Sequence, residues 1–140
     1  MKKLLLLALF SLLLLSVCTT ETKAQGKSAG DTLVVVWSSG DIDVAEKIVF
    51  MYVYNAKRAK WFDDVTFIVW GPSAKLLSEN ESLQERVKAM MDAGIKVEAC
   101  IACARMYEVD DELKGMGIDV KGMGVPLSNY LKNGYSVLTF

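Results

Sequence analysis

The apolar positions of the chain fall into two kinds of run, continuous and periodic, and their alternation sets out the fold before any single residue is weighed. Thr32-Leu-Val-Val-Val-Trp37 and Val65-Thr-Phe-Ile-Val-Trp70 are continuous apolar stretches, the pattern of strands covered on both faces in a parallel sheet. Between them, Asp41 or Asp43 can cap a helix that runs to about Ala59. It carries Val44, Ile48, Met51, Tyr52 and Ala56 on one face. Gly71-Pro72 marks a tight strand-to-helix turn, with Ser73 to Leu77 as a short helix. A second start follows, where Ser82 and Glu85 form a capping box. Leu83, Val87, Met90 and Met91 then share one side, and Gly94 is a natural stop.

From Ile95 to Ala99 apolar and charged residues alternate as in a half-buried strand, and Ile101 to Met106 reads as the first turns of a helix. Val109 to Leu113 restarts a short helix before Gly115, and Ile118 to Gly122 is a fourth strand or extended edge. Gly124-Val125-Pro126 opens a further helix that ends near Lys132 and is closed by Gly134, and Tyr135 to Phe140 is a final strand. Strands alternating with helices predict an α/β domain: about five mostly parallel strands with helices on both faces. Ligands of such folds sit beyond the carboxyl ends of strands. The loops at Ser38 to Asp41, Gly71 to Ser73 and Cys100 are such ends, so they are expected to share a rim.

The chemistry concentrates in Val97-Glu98-Ala99-Cys100-Ile101-Ala102-Cys103-Ala104-Arg105. Cys100 falls at a predicted helix N-terminus, where unpaired N–H groups and the helix dipole lower a thiol pKa from about 8.5 toward neutrality and make the sulfur a usable nucleophile. Cys103 lies on the same face of that first turn and is placed to resolve a disulfide or persulfide formed on Cys100. A bare C-x-x-C equally fits two small buried hydrophobes or a static disulfide, and the pattern leaves these open. Asp110, Asp111 and Glu112 read as capping and dipole residues of the following helix, and Arg105, about one turn past Cys100, as a surface ion pair or as a cation that favours an anion on that sulfur.

Composition changes the picture at the amino end. Lys2 and Lys3 precede a leucine-rich run from Leu4 to Val17, after which Thr22-Lys23-Ala24 offers small residues for signal-peptidase cleavage before Gln25. Residues 1–24 therefore read as a signal peptide, 25–31 as a flexible leader and 32–140 as the folded domain. The expected location is periplasmic or secreted. A competing reading takes Leu15-Ser16-Val17-Cys18 as a lipoprotein box with Cys18 lipidated, and Val17 counts against it. The apolar run is too short for a comfortable membrane span, so the mature chain is expected to have none.

Cleavage after Ala24 removes Lys2, Lys3, Lys23 and Glu21 from 16 basic and 17 acidic residues, leaving 13 against 16 in a mature chain of 116 residues. A mildly acidic domain without a basic stripe gives nucleic-acid binding no support. The chain has no histidine and the mature form two cysteines, so a tetrahedral zinc site cannot be completed by N and S ligands from one subunit, and Cys-His or Ser-His-Asp catalysis is excluded. No G-x-G-x-x-G or P-loop follows any strand. Tyr52, Tyr54, Trp61 and Phe62 exceed what one helix face needs to bury, which suggests a subunit interface.

The order of these features resembles the DsrE/DsrF-like family of small sulfur-relay proteins. VVVWSSGD after the first strand, FIVWGPSAKLL after the second, VEACIACAR at the third and the terminal VLTF carry the resemblance across nearly all of Thr32 to Phe140. It implies a three-layer flavodoxin-like fold and homo-oligomers, often trimers or hexamers. It also implies sulfane sulfur held as a persulfide on a cysteine at the position of Cys100, with Cys103 at a second position that only some members fill. No cofactor is needed for that chemistry, and the partners implied are a sulfur donor and an acceptor protein. The chain departs from the family in its export signal and in Arg105-Met106, where an Arg-Gly pair is usual. Two other classes stay in view: thiol-disulfide exchange through Cys100 and Cys103, and a non-catalytic oligomeric module with structural cysteines. Against exchange, thioredoxin-like sites set a cis-proline opposite the cysteines, whereas Pro72 and Pro126 both read as helix starters.

Overall fold

The computed structural model describes residues 31–140. The expected signal peptide, the alternative lipoprotein box at Cys18 and all of the expected leader but Asp31 lie outside the described residues. Five strands form one sheet: β1 (Thr32–Trp37), β2 (Asp64–Val69), β3 (Lys96–Cys100), β4 (Asp119–Lys121) and β5 (Ser136–Thr139). Their order is β4-β3-β2-β1-β5 and every pairing is parallel. The fold is therefore the α/β arrangement of strands and crossover helices that the alternating pattern predicts.

The helices are α1 (residues 42–58), α2 (Pro72–Ser78), α3 (Glu81–Asp92), α4 (Ile101–Met106), α5 (Asp110–Gly115) and α6 (Gly124–Lys132). The chain steps outward from β1 through β2 and β3 to β4, then returns past the whole sheet to set β5 beside β1. Right-handed crossovers running in opposite directions lie on opposite faces. So among the described residues α1 to α5 supply one layer, and α6, on the return crossover, supplies the other.

The two layers are unequal. The larger core joins Leu33, Val35, Trp37, Phe67 and Val69 of the sheet to Val49, Phe50, Val53, Leu77, Leu83, Val87 and Leu113 of the helices. At its centre Trp37 stacks on Phe67 with centroids 5.9 Å apart, and Phe50 meets Trp37 edge-on at 5.1 Å. The smaller core is Val34, Val36, Ile68, Cys100 and Met123, with Trp70, Cys103, Leu127, Tyr130, Tyr135 and Val137 packed against it. Every residue of β1 is buried, as a strand covered on both faces requires.

Three local expectations are corrected. The face that α1 buries is Ala45, Val49, Phe50, Val53 and Ala56, while Ile48 and Met51 point outward. The cause is a π-helical turn over Ala45–Val49, which widens the helix by one residue and rotates the apolar stripe. Asn80, not Ser82, caps α3: its Oδ1 accepts the Leu83 N–H at 3.0 Å. Glu98, expected at a solvent face by the half-buried alternation, is fully buried.

Candidate functional site

Cys100 is the last residue of β3 and the N-cap of α4, with extended backbone at φ −78° and ψ 111°. The strand's alternation turns its side chain to the α6 face, among Val34, Val36, Ile68 and Met123. It is 6% exposed, so the open thiol that the sequence suggests is nearly covered. Cys103, the third residue of α4, is half-buried and packs against the same cluster. Both cysteines are free thiols.

Burial pushes the Cys103 thiol above its ordinary range, and the neighbouring Cys100 sulfur adds to the rise. The Gly71 N–H, facing the Cys103 sulfur from the end of β2, draws the other way. Cys103 is thereby held as a protonated thiol at neutral pH. Gly71 can occupy this position because its φ of 71° and ψ of −136° are open to glycine and strained for other residues.

The three strand-end loops do share a rim. The Trp70 N–H donates to the Trp37 carbonyl at 3.0 Å, and buried Ser73 donates its hydroxyl proton to the same carbonyl at 2.5 Å. A Cβ on Gly40 would stand 3.1 Å from the Pro72 Cβ, so the first and second loops are in close approach. Ser38 is committed to the scaffold, its backbone N–H at 2.7 Å and its hydroxyl at 2.8 Å both donating to the Phe140 carbonyl. Asp41 is a cap, its Oδ1 accepting the N–H groups of Asp43 at 2.8 Å and Val44 at 3.1 Å. Arg105 is largely exposed and pairs with Asp110 at 3.9 Å, and Asp110 and Asp111 both accept from Lys114.

What the sequence did not single out lies one pleat below Cys100. Lys96, Glu98 and Cys100 project from the same face of β3, and Lys121 of β4 stands in register with Cys100. Glu98 Oε1 accepts from Lys121 at 2.7 Å and Lys96 at 2.5 Å, and its Oε2 accepts from the Tyr130 hydroxyl of α6 at 3.1 Å. Burial alone would push the Glu98 carboxyl up, but the ammonium groups of Lys121 and Lys96 outweigh it and hold the carboxyl below its usual value. Lys121 also bonds Asp119, and these two carboxylates overcome the cost of burial and lift its ammonium above the ordinary lysine range. The signal for this cluster was the strand's period of two, which puts Glu98 on the cysteine's own side.

The DsrE/DsrF-like family model matches residues 32–140, which takes in every strand and helix described above. The chain belongs to the DsrE/DsrF-like family. A conserved protein of unknown function, BT1422, from Bacteroides thetaiotaomicron is 34% identical to this DsrE/DsrF-like chain and superposes with a TM-score of 0.76, the match covering 79% of this chain and 95% of that one. The ychN protein from E. coli, 12% identical with a TM-score of 0.56 over 79% of this chain and 99% of that one, shares the fold. No curated protein matches. Among the described residues, no helix of the DsrE/DsrF-like domain is long and apolar enough to cross a membrane, and no three potential ligands are grouped to hold a metal ion.

Proposed function

We propose that this DsrE/DsrF-like chain is an exported sulfur carrier that holds sulfane sulfur as a persulfide on Cys100. The observation that carries the reading is the pairing of two unlike thiols at the carboxyl end of β3: Cys100 at the strand-to-helix junction, and Cys103 beside it with its proton retained by burial. Loading is a transfer of neutral sulfur. The Cys100 thiolate attacks the outer sulfur of a donor persulfide R–S–SH, a new S–S bond forms, the donor's S–S bond breaks, and the donor leaves as its thiolate. No oxidant is consumed. The hazard is attack by a neighbouring thiolate on the inner sulfur, which would expel hydrosulfide and close a disulfide. Keeping Cys103 protonated suppresses that loss, because the thiolate is the attacking species.

The same thiol pair supports thiol-disulfide exchange as the second reading, in which the Cys100–Cys103 disulfide is the working state. The two differ in what is bound. A sulfur carrier incubated with a persulfide donor and freed of small molecules releases cyanide-labile sulfur, and Cys100→Ser abolishes it. An exchange protein releases none and instead gains a disulfide.

Homo-oligomerisation belongs to this proposal. The outer side of α1 and the turn that follows it expose Ile48, Met51 and Trp61 at 48%, 53% and 57%. An apolar surface of that kind on a secreted domain favours a subunit contact.

A further inference from the structure

We infer that α6 is a hinged cover over Cys100, and that the Tyr130–Glu98 hydrogen bond is the latch that holds it shut. Cys100 cannot meet a donor protein while only 6% of it is exposed. Met123, at the entry to α6, is fully buried in the same cluster as Cys100, and Leu127 and Tyr130 of α6 pack against that cluster, Tyr130 at the level of Lys96 and Glu98. Yet α6 itself has no buried residue, unlike α1 to α5, and among the described residues it is the only helix on its side of the sheet. Its own side chains stay part-exposed, so what holds it down is the sheet face beneath, Val34, Val36 and Ile68, together with its polar tie.

Its polar tie is specific: the Tyr130 hydroxyl donates to the enclosed Glu98 carboxylate at 3.1 Å and lies 3.3 Å from the Lys96 ammonium. The segment has points to turn about. Gly122 and Gly124 flank Met123 where a Cβ would meet nothing within 4 Å, and Gly134 follows the helix at φ 75°. Opening costs the carboxylate one hydrogen bond and leaves it paired with Lys96 and Lys121, so the sheet stays intact. As the gate to a sulfur carrier, α6 matters only if the sulfur-carrier reading holds. As a cover over a thiol, it stands on the geometry alone.

The test is the alkylation rate of Cys100 by iodoacetamide in the reduced protein, with fragment spectra separating Cys100 from Cys103 within the tryptic peptide Val97–Arg105. Tyr130→Phe keeps the ring and removes the latch. It should raise the Cys100 rate about tenfold, while hydrogen exchange in α3 is unchanged, marking local and not global opening. Gly122→Ala with Gly124→Ala should slow it. An unchanged Cys100 rate in Tyr130→Phe, or a rise matched by faster exchange in α3, overturns the cover. Should Tyr130→Phe fail to fold, exchange in the unaltered protein decides. Amides of α6 exchanging about tenfold faster than those of α3 support the cover, and equal protection overturns it. None of these readouts involves a sulfur donor, so failure of the persulfide chemistry leaves them interpretable.

Discussion

Glu98 and Cys100 sit two residues apart on one face of β3, the carboxylate fully enclosed and the thiol all but so. A charge buried next to a nucleophile is tolerable here because two ammonium groups and a phenol take up its lone pairs. The carboxylate thereby fastens three separated pieces of the chain, β3, β4 and α6, beneath the thiol.

Glu98→Ala should destabilise the domain by about 2–3 kcal/mol. That is less than the loss of a fully dry ion pair, because Lys96 and Lys121 are 54% and 34% exposed and can turn to water. Urea unfolding followed by circular dichroism measures it. A change within 0.5 kcal/mol would show that the cluster is decorative.

The same carboxylate sets an acid limit. Its folded pKa is depressed below the unfolded value of about 4.3, so its contribution is full above that value and is lost as pH falls through the folded pKa. Urea midpoints measured from pH 7 down to about pH 3 should fall more steeply for the unaltered protein than for Glu98→Gln, the two curves converging in acid. For Lys96 and Lys121 the sign is opposite. Their folded pKa values are raised, so their share is present below the unfolded value of about 10.4 and is lost only in stronger alkali.

Gly71→Ala puts a side chain where φ is positive and should cost about 1–3 kcal/mol. It also disturbs the N–H that faces the Cys103 sulfur, the one influence lowering that thiol's pKa. The pH profile of Cys103 alkylation should therefore move upward. A downward move would remove Gly71 from the site.

How much of this was legible in the chain can be read from particular residues. The continuous runs at Leu33 to Trp37 and Val65 to Val69 announce buried parallel strands, and Asp41, Gly71-Pro72 and Gly94 mark the element ends where the fold places them. The face of α1 was misplaced because a π-helical turn breaks the 3.6-residue period on which such readings rest. The cysteines' place at the end of β3 followed from strand length and helix onset. Their burial did not, because it depends on Met123 and α6, which arrive from the far end of the chain through a crossover that local pattern does not specify. For the same reason Glu98 read as a solvent-facing residue: its partners Lys121 and Tyr130 are 23 and 32 positions away.

The most direct measurement of the central claim is the position of added sulfur. The reduced protein is incubated with glutathione persulfide, quenched with iodoacetamide and examined as the Val97–Arg105 peptide by tandem mass spectrometry, alongside Cys103→Ser and Cys100→Ser. A sulfur carrier shows one extra sulfur on Cys100 in the unaltered protein and in Cys103→Ser, and none in Cys100→Ser. Added sulfur confined to Cys103, or none on Cys100 although iodoacetamide alone labels it, would contradict the account.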